Sequence, residues 1–188
     1  MRKNFGPKTY LFPLPVLLIG TYNEDGSANA MNAAWGGVYD TNQIMLCLDA
    51  SHKTSANVKE RRAFSIAFAD KKHVVEADYL GIDSGNKVLN KLEKANLKTE
   101  KSEFVDAPIL VDFPVNLDCK VKEIKEENDT LYVVGDILNV SCKEEYLDEQ
   151  GKIDISKIGF ISYNPVKNEY VEVNGKVGNA FKDGLKLR

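Results

Sequence analysis

An Asp-Gly turn near the start of the chain is the sequence feature that most constrains the fold. The run 16–22 is rich in β-branched and aromatic residues, and a polar turn at 23–27 separates it from a second extended run that begins near Ala28. An Asp25-Gly26 pair between two such runs is a strong signal for a β-hairpin, in which the strands are antiparallel. The sequence therefore predicts a fold that begins with an antiparallel pair of strands.

The rest of the chain continues this pattern, with a few short helices. Extended segments are predicted at 43–48, 63–68, 107–123, 131–140, 158–163 and 170–173, and helices at 54–60, 72–80 and 86–95. Thr54 is predicted as the N-cap of the first helix and Gly81 as the C-terminal stop of the second. Strict β-α-β alternation is absent, which argues against a doubly wound parallel sheet. We expect residues 1–188 to form one mainly β domain, a small closed or split β-barrel with peripheral α-helices.

Composition argues against several classes of function. The formal net charge is −3 and the pI is about 5.5, so the chain lacks the basic face that binds duplex nucleic acid. The apolar run 16–19 is too short to cross a membrane, and no run of signal-peptide length follows the N-terminus. We therefore expect a protein that binds neither nucleic acid nor membranes.

The cysteines and histidines give no sign of a metal site. Cys47, Cys119 and Cys142 are widely spaced and form no C-x-x-C pair, and the only histidines are His52 and His73. Neither a disulfide framework nor a structural zinc site is expected from this pattern. A reducing cytoplasm is the expected compartment.

A polar segment at 51–57 has the chemistry of a phosphate site. Ser51 and Thr54 supply hydroxyl groups, Lys53 supplies a positive charge, and Asn57 lies one turn into the predicted helix. Backbone N–H groups at a helix start, hydroxyls and a cation together suit a phosphate monoester. The alternative, which the spacing alone favours, is that Ser-x-x-Thr forms only a turn and a helix cap.

A second polar segment, at 29–35, precedes this one by about twenty residues. Its side chains are small or carry amides, so a flat heteroaromatic ring can approach the backbone and be recognised by peptide N–H and C=O groups. Trp35, the only tryptophan, is a candidate wall of such a site. The alternative is that Trp35 is an ordinary anchor of the core.

Several motifs follow one another in a fixed order along nearly the whole chain. They are Pro13-x-Pro15, Ile19-Gly20-Thr21, Asp25-Gly26, N-x-M-N-x-A-W at 29–35, Lys53-Thr54 with Asn57, Ala77-Asp78-Tyr79-x-Gly81-x-x-Ser84-Gly85, Asn90-Lys91, Tyr163-Asn164-Pro165, Asn168-x-Tyr170 and Val177-Gly178-x-Ala180-Phe181. This order resembles the flavin reductase-like family, whose fold is an FMN-binding split barrel, and in particular its flavoredoxin-type branch. Each motif is only moderately specific, but their order and spacing are much more so.

The resemblance implies FMN as the cofactor and suggests a set of binding residues. Residues 32–35 would contact the flavin ring and ribityl chain, and Cys47 would lie close to the isoalloxazine. The implied cofactor-binding set is Asn29, Met31, Asn32, Ala33, Ala34, Trp35, Cys47, Ser51, His52, Lys53, Thr54 and Asn57. Many relatives have arginine at position 53, and lysine keeps the charge but loses the planar fork, so phosphate binding would depend more on the hydroxyls. A homodimer with flavin sites near the subunit interface is also implied.

Other chemically distinctive residues are expected to be structural. A free cysteine on an apolar strand is usually a small hydrophobe, and this is the expected role of Cys47 rather than that of a redox-active thiol. The charged run 91–101, which begins with Lys91, mixes signs and is typical of a solvated face. No acid–base or metal constellation stands out as catalytic.

Three functions remain open at this stage. The first is an FMN-dependent oxidoreductase that passes electrons from NADH or NADPH through FMN to an acceptor, which is either a protein or a small molecule. The second is a flavoredoxin-type electron carrier that has no nicotinamide site of its own. The third is a β-barrel binding module without flavin, in which the polar segments are only turns and caps.

Overall fold

The computed structural model describes residues 1–188 and is built mainly from antiparallel β-strands. The strands are β1 (Leu14–Pro15), β2 (Leu17–Tyr22), β3 (Ala28–Ala33), β4 (Gly36–Asp40), β5 (Gln43–Asp49), β6 (Ala63–Phe68), β7 (Thr99–Lys101), β8 (Pro108–Leu110), β9 (Val115–Glu127), β10 (Thr130–Cys142), β11 (Ile161–Asn164) and β12 (Glu169–Glu172). The helices are α1 (Lys53–Arg61), α2 (Val74–Ile82), α3 (Lys91–Lys94) and α4 (Ile155–Ile158). Short 3₁₀ helices lie at Lys71–His73, Glu144–Tyr146 and Asp183–Leu187.

Seven strands form one antiparallel sheet in the order β3-β2-β6-β9-β10-β5-β4. Its longest pair, β9 and β10, is joined at Asn128 and Asp129, which have φ angles of 50° and 61°. Positive φ at both central residues is what a two-residue type I′ turn requires. A smaller sheet has the order β1-β11-β12, and β7 pairs with β8.

The large sheet curves until its two edge strands, β3 and β4, come together around one core. These edges are consecutive in the chain and are separated only by Ala34 and Trp35. A Cβ added at Gly36 would lie 2.8 Å from both Leu17 Cδ1 on β2 and Leu46 Cδ2 on β5. The two ends of the sheet are therefore packed against each other at this glycine, although β3 and β4 do not pair.

Alternate residues of β2 enter two different cores. Leu17 and Ile19 face the interior of the curved sheet, where they join Leu46 and Phe64. Leu18 faces the outside of the sheet and packs with a second group: Ala30, Ala77, Leu80, Leu92, Leu110 and Phe113. Since successive side chains of a strand point to opposite faces, β2 holds α2 and α3 on the sheet's outer surface. α2 lies along β3, and the start of α1 is joined to β3 by the hydrogen bond from the Asn29 side chain to the Thr54 hydroxyl.

The expected mainly β architecture is confirmed, but several predicted boundaries were wrong. The helix predicted at 86–95 is reduced to α3, and β4 was not predicted. Gly81 lies inside α2 rather than after it, because α2 continues to Ile82 and ends at Asp83. The N-cap of α1 is His52 rather than Thr54, and the His52 side chain makes no capping hydrogen bond to the backbone of the first turn. No helix of the structure has both the length and the hydropathy needed to cross a membrane.

Candidate functional site

A cavity of about 400 Å³ opens beside β3, between α2, the start of α1 and the smaller sheet. Seven residues of the predicted site line it: Met31, Asn32, Ala33, Ala34, Trp35, Cys47 and His52. Tyr163 and Tyr170 from the smaller sheet, and Asp78 and Ile82 from α2, form other parts of the wall. Trp35 is half-exposed at this cavity, so the alternative that it anchors the core is wrong.

A second cavity of about 130 Å³ adjoins the first and is more polar. The two share Met31, Asn32, His52, Gly81 and Ile82, and so they form one continuous trough, which we call the trough. The additional lining of the second cavity includes Asn29, Lys53, Thr54, Ser84, Gly85 and Lys91. The structure thus brings together parts of both polar segments that the sequence singled out.

The N-terminus of α1, which carries the partial positive charge of the helix dipole, lies at the second cavity. The backbone N–H groups of the first turn have no partner within the helix, and His52 leaves them without a side-chain cap. Thr54 is buried, and its hydroxyl oxygen accepts a hydrogen bond from the Asn29 side-chain amide at 3.0 Å. This leaves the Thr54 hydroxyl hydrogen free to be donated to a ligand. An uncapped helix start beside a lysine and a hydroxyl is an arrangement that suits an anion.

Two residues of the predicted site lie outside the lining of both cavities. The Asn57 side chain is buried beneath α1 and donates to Thr21 Oγ1 at 3.0 Å and to Asn23 Oδ1 at 2.9 Å. Ser51 is exposed and donates its hydroxyl to Asp49 Oδ1 at 2.6 Å. Hydrogen bonds from the Ser51 hydroxyl and amide lower the pKa of Asp49 below its usual value. The structure therefore gives both side chains internal partners.

Sequence reasoning missed several residues of the lining, among them Asp78, Tyr170 and, in the second cavity, Lys91. Lys91 was assigned to a solvated face, but it is 3% exposed and its ammonium group donates to Leu80 O at 2.8 Å and Ala30 O at 3.2 Å. No carboxylate lies within ion-pair distance. Burial lowers the pKa of Lys91, and the charge of Asp83 partly opposes this shift. The only available signal for Lys91 was the Asn90-Lys91 motif, since charge patterning predicted an exposed position.

A buried ammonium group without an acidic partner is costly, and its cost falls when an anion binds next to it. Lys91 lines the second cavity together with Lys53 and the start of α1. The donors present therefore fit the phosphate group or another anionic part of a nucleotide-like ligand. The larger, mainly apolar cavity next to them fits an attached flat ring.

A glycine in the loop after α2 is packed tightly against the second cavity. A Cβ at Gly85 would lie 2.5 Å from Asn29 Oδ1 and 3.1 Å from Lys53 Cβ. The next residue, Asn86, donates its side-chain amide to Ser51 O at 3.0 Å. The Ser84-Gly85 loop thus packs directly against the start of α1. Only glycine fits at position 85, because a Cβ there would clash with Asn29.

The thiol of Cys47 has the surroundings of a small apolar group. It lines the first cavity, and burial raises its pKa above the usual value. A reactive cysteine needs the opposite shift, which a nearby positive charge or helix N-terminus produces. The geometry therefore favours the role of a wall residue.

A chain of hydrogen bonds crosses the first cavity between α2 and the smaller sheet. The Asn32 side-chain amide donates to Ala77 O at 2.9 Å and to the Tyr170 hydroxyl at 3.4 Å. The Tyr170 hydroxyl donates to Asp78 Oδ1 at 2.8 Å. Burial, followed by this bond to Asp78, raises the pKa of Tyr170 to about 12. Tyr170 is therefore a neutral hydrogen-bond donor at ordinary pH.

Solved structures similar to this chain include two flavoredoxins. That of Desulfovibrio vulgaris (Miyazaki F) is 33% identical, and the match covers 98% of this chain and 100% of the other with a TM-score of 0.92. The flavoredoxin of Methanosarcina acetivorans is 29% identical, and the match covers 100% of both chains with a TM-score of 0.90. A protein with a split barrel domain from Shewanella frigidimarina, at 16% identity, shares the fold with a TM-score of 0.78 over 89% of this chain and 86% of that one. The predicted split-barrel fold is confirmed by these matches.

The family model that matches the chain is that of the flavin reductase-like domain, and it matches residues 9–156. This range contains both polar segments, the whole seven-stranded sheet, Lys91 and α2. The resemblance inferred from the order of the motifs is thereby confirmed. The chain belongs to the flavin reductase-like family, and its fold is the split barrel of that family.

Proposed function

We propose that this protein holds FMN in the trough and acts as a flavin reductase-like oxidoreductase, passing electrons from NADH or NADPH to an acceptor. The observation that carries the proposal is the division of the trough into two parts. One end has the buried ammonium group of Lys91, which has no acidic partner, and an uncapped helix start. The other end has an apolar cavity of about 400 Å³. FMN is also the cofactor expected of a flavin reductase-like protein whose structural neighbours include FMN-binding proteins.

The chain's own residues supply binding, orientation and shielding. Lys53, Lys91, the Thr54 hydroxyl and the first-turn amides of α1 hold the phosphate end. The backbone of 32–35, with Trp35 and Tyr163 as walls, holds the ring. FMN, when bound, supplies the hydride and electron chemistry, so that a catalytic acid–base pair is unnecessary.

A second candidate function is that of an electron carrier without a nicotinamide site. It is supported by the match to two flavoredoxins over the full length of the chain. The two candidates share the same cofactor and differ in the electron donor. A protein acceptor suits the carrier, whereas a protein or a small molecule suits the reductase.

Mixing the FMN-loaded protein with NADH or NADPH under anaerobic conditions separates the two candidates. Loss of flavin absorbance near roughly 450 nm at a catalytic rate supports the reductase, because the nicotinamide then reduces the bound cofactor directly. Loss of absorbance only after a reduced partner protein is added supports the carrier. A protein that takes up no FMN contradicts both.

Substitution of both Lys53 and Thr54 by alanine tests the phosphate end of the trough. The double variant should retain FMN more weakly, because charge-assisted hydrogen bonds contribute about 1.5–3 kcal/mol each. Ser51→Ala is the matched control, since Ser51 lies outside both cavities. Equal FMN retention by the double variant and the wild type would contradict the assignment.

Two further features belong to the proposal. We infer a homodimer, which is supported by exposed apolar side chains on and next to the edge strand β4, among them Trp35, Val38 and Tyr39. Symmetric dimers are also the commonest oligomers. Three free cysteines support a reducing cytoplasm as the compartment.

A further inference from the structure

Asp78 is a carboxylate that the proposed binding of FMN leaves without a function. It lies on α2, is half-buried and lines the first cavity. One carboxylate oxygen accepts a hydrogen bond from the Tyr170 hydroxyl at 2.8 Å, and the other has no partner within the chain. No lysine, arginine or histidine lies within ion-pair distance of it. Its charge is therefore fixed in place but not neutralised.

Tyr170 holds the Asp78 carboxylate in position through its hydrogen bond. Its ring is tilted at 55° to that of Tyr163, with 6.1 Å between the ring centroids, and its hydroxyl also accepts from the Asn32 amide. These contacts hold the hydroxyl in one position at the wall of the cavity. The Asp78 carboxylate, bonded to it, is kept at the cavity rather than turned into solvent.

The rest of the first cavity does not compensate the charge of Asp78. Its lining contains no lysine or arginine, and its other ionisable side chains are Cys47, Asp49, His52, Tyr163 and Tyr170. Asp49 is exposed and accepts bonds from the Ser51 amide and hydroxyl, at the opening near α1. The lysines of the trough, Lys53 and Lys91, line the second cavity. The second cavity thus has two lysines and the single carboxylate of Asp83, whereas the first has two carboxylates and no lysine or arginine.

We propose that Asp78, positioned by Tyr170, lowers the reduction potential of the cofactor held in the first cavity. This inference rests on the proposed binding of FMN there. Reduction of a flavin by two electrons with uptake of one proton leaves the ring system with one additional negative charge. A fixed carboxylate in the same low-polarity cavity repels that charge and so disfavours the reduced form relative to the oxidised form. Asp78 thereby makes the loaded protein a stronger electron donor.

The test compares midpoint potentials of the FMN-loaded wild type with those of Asp78→Asn and Glu76→Gln. Asparagine keeps the size of the side chain and an oxygen that accepts from Tyr170, but removes the charge. Glu76 lies on the same helix outside the cavity lining, so Glu76→Gln removes an equal charge from a matched position. Potentials are measured by slow anaerobic reduction in equilibrium with a reference dye, and FMN affinity is measured separately on the oxidised forms.

We expect Asp78→Asn to favour the reduced form over the oxidised form by about tenfold or more, which is a rise of about 30 mV for a two-electron couple. Tyr170→Phe should raise the potential by less, because the charge remains but is free to turn toward solvent. Glu76→Gln should leave the potential unchanged. Equal potentials for the wild type and Asp78→Asn, or equal shifts for Asp78→Asn and Glu76→Gln, would overturn the inference.

The outcomes also distinguish this inference from the proposed function. If the wild type binds FMN and Asp78→Asn does not, the carboxylate serves binding and the inference is wrong, while the proposed function stands. If the wild type itself takes up no FMN, both are wrong. Reductase activity enters none of these measurements.

Discussion

The ammonium group of Lys91 donates to the carbonyl oxygen of Leu80 at 2.8 Å, although both residues are buried and no acid neutralises the charge. This contact joins α3 to the last part of α2, at the wall of the second cavity. Lys91 is therefore held in place before any anion arrives.

Lys91→Met should weaken FMN binding by roughly tenfold to a hundredfold. A charge-assisted hydrogen bond contributes about 1.5–3 kcal/mol, and each 1.4 kcal/mol changes affinity about tenfold. FMN titration followed by flavin fluorescence measures the change. Lys94→Met is the control, because Lys94 lies on the same helix and is exposed. Equal losses in both variants would contradict a specific role for Lys91.

FMN affinity should also decline at alkaline pH. Burial lowers the pKa of Lys91 in the free protein, and a bound anion favours the charged form. As pH rises past the lowered pKa of the free protein, binding must take up a proton at Lys91, so affinity falls before the usual lysine range near 10.5 is reached. FMN titrations across the alkaline range measure this, and Lys91→Arg should flatten the decline because arginine stays protonated.

Binding of FMN should quench the fluorescence of the protein's tryptophan. Trp35 is the only tryptophan, is half-exposed and lines the first cavity. A flavin ring stacked or packed against it would accept its excitation energy. Emission recorded during FMN titration should fall with the same midpoint as the flavin signal, whereas inorganic phosphate should leave it unchanged. Tryptophan emission that does not respond to bound FMN would place the ring elsewhere.

Gly36→Ala should destabilise the fold far more than Gly37→Ala. A Cβ at Gly36 would lie 2.8 Å from two leucine methyl groups, whereas at Gly37 no atom lies within 4 Å. Overpacking of a well-packed core typically costs about 1–3 kcal/mol. Urea unfolding of the two variants measures the difference. Similar unfolding midpoints would contradict the close packing of the sheet's two ends.

Asn57→Ala should lower the free energy of unfolding while changing FMN affinity little. It removes two buried hydrogen bonds, to Thr21 and Asn23, at a cost of about 1–3 kcal/mol. Denaturant unfolding of the apo form measures the first effect, and FMN titration well below the unfolding transition measures the second. A large loss of affinity in the folded variant would return Asn57 to the binding site.

Local signals in the sequence were sufficient to predict many of the strands and helices of the fold. The strand predicted at 63–68 coincides with β6, because its apolar residues face the cores on both sides of the sheet. Gly81 was misread as a helix stop, because the packing of α2 against Asn32 outweighs the weak helix propensity of glycine. Both polar segments do reach the trough, although the Ser51 side chain turns to its sequence neighbour Asp49 and the Asn57 side chain turns to Thr21, which only the folded chain brings near.

Lys91 and Asp78 show why the rest of the site was not predictable from local patterns. Lys91 lies in a charged run that is typical of a solvated face, but the folded chain buries it against Leu80 on the preceding helix and against Ala30, 61 residues earlier. Asp78 acquires its position from Tyr170, 92 residues further along the chain. The surroundings of these two side chains are set by contacts between different helices and strands, which the spacing of neighbouring residues does not reveal.

β3 and β4 lie close together without pairing, and this arrangement bears on how the protein associates with itself. Both are edge strands of the large sheet, and an unpaired edge presents free N–H and C=O groups on which another chain can assemble. Along 31–33 this edge borders the trough. FMN bound in the proposed site would cover backbone that is otherwise open to strand addition, so the supply of flavin during expression should govern how much of the protein remains dispersed.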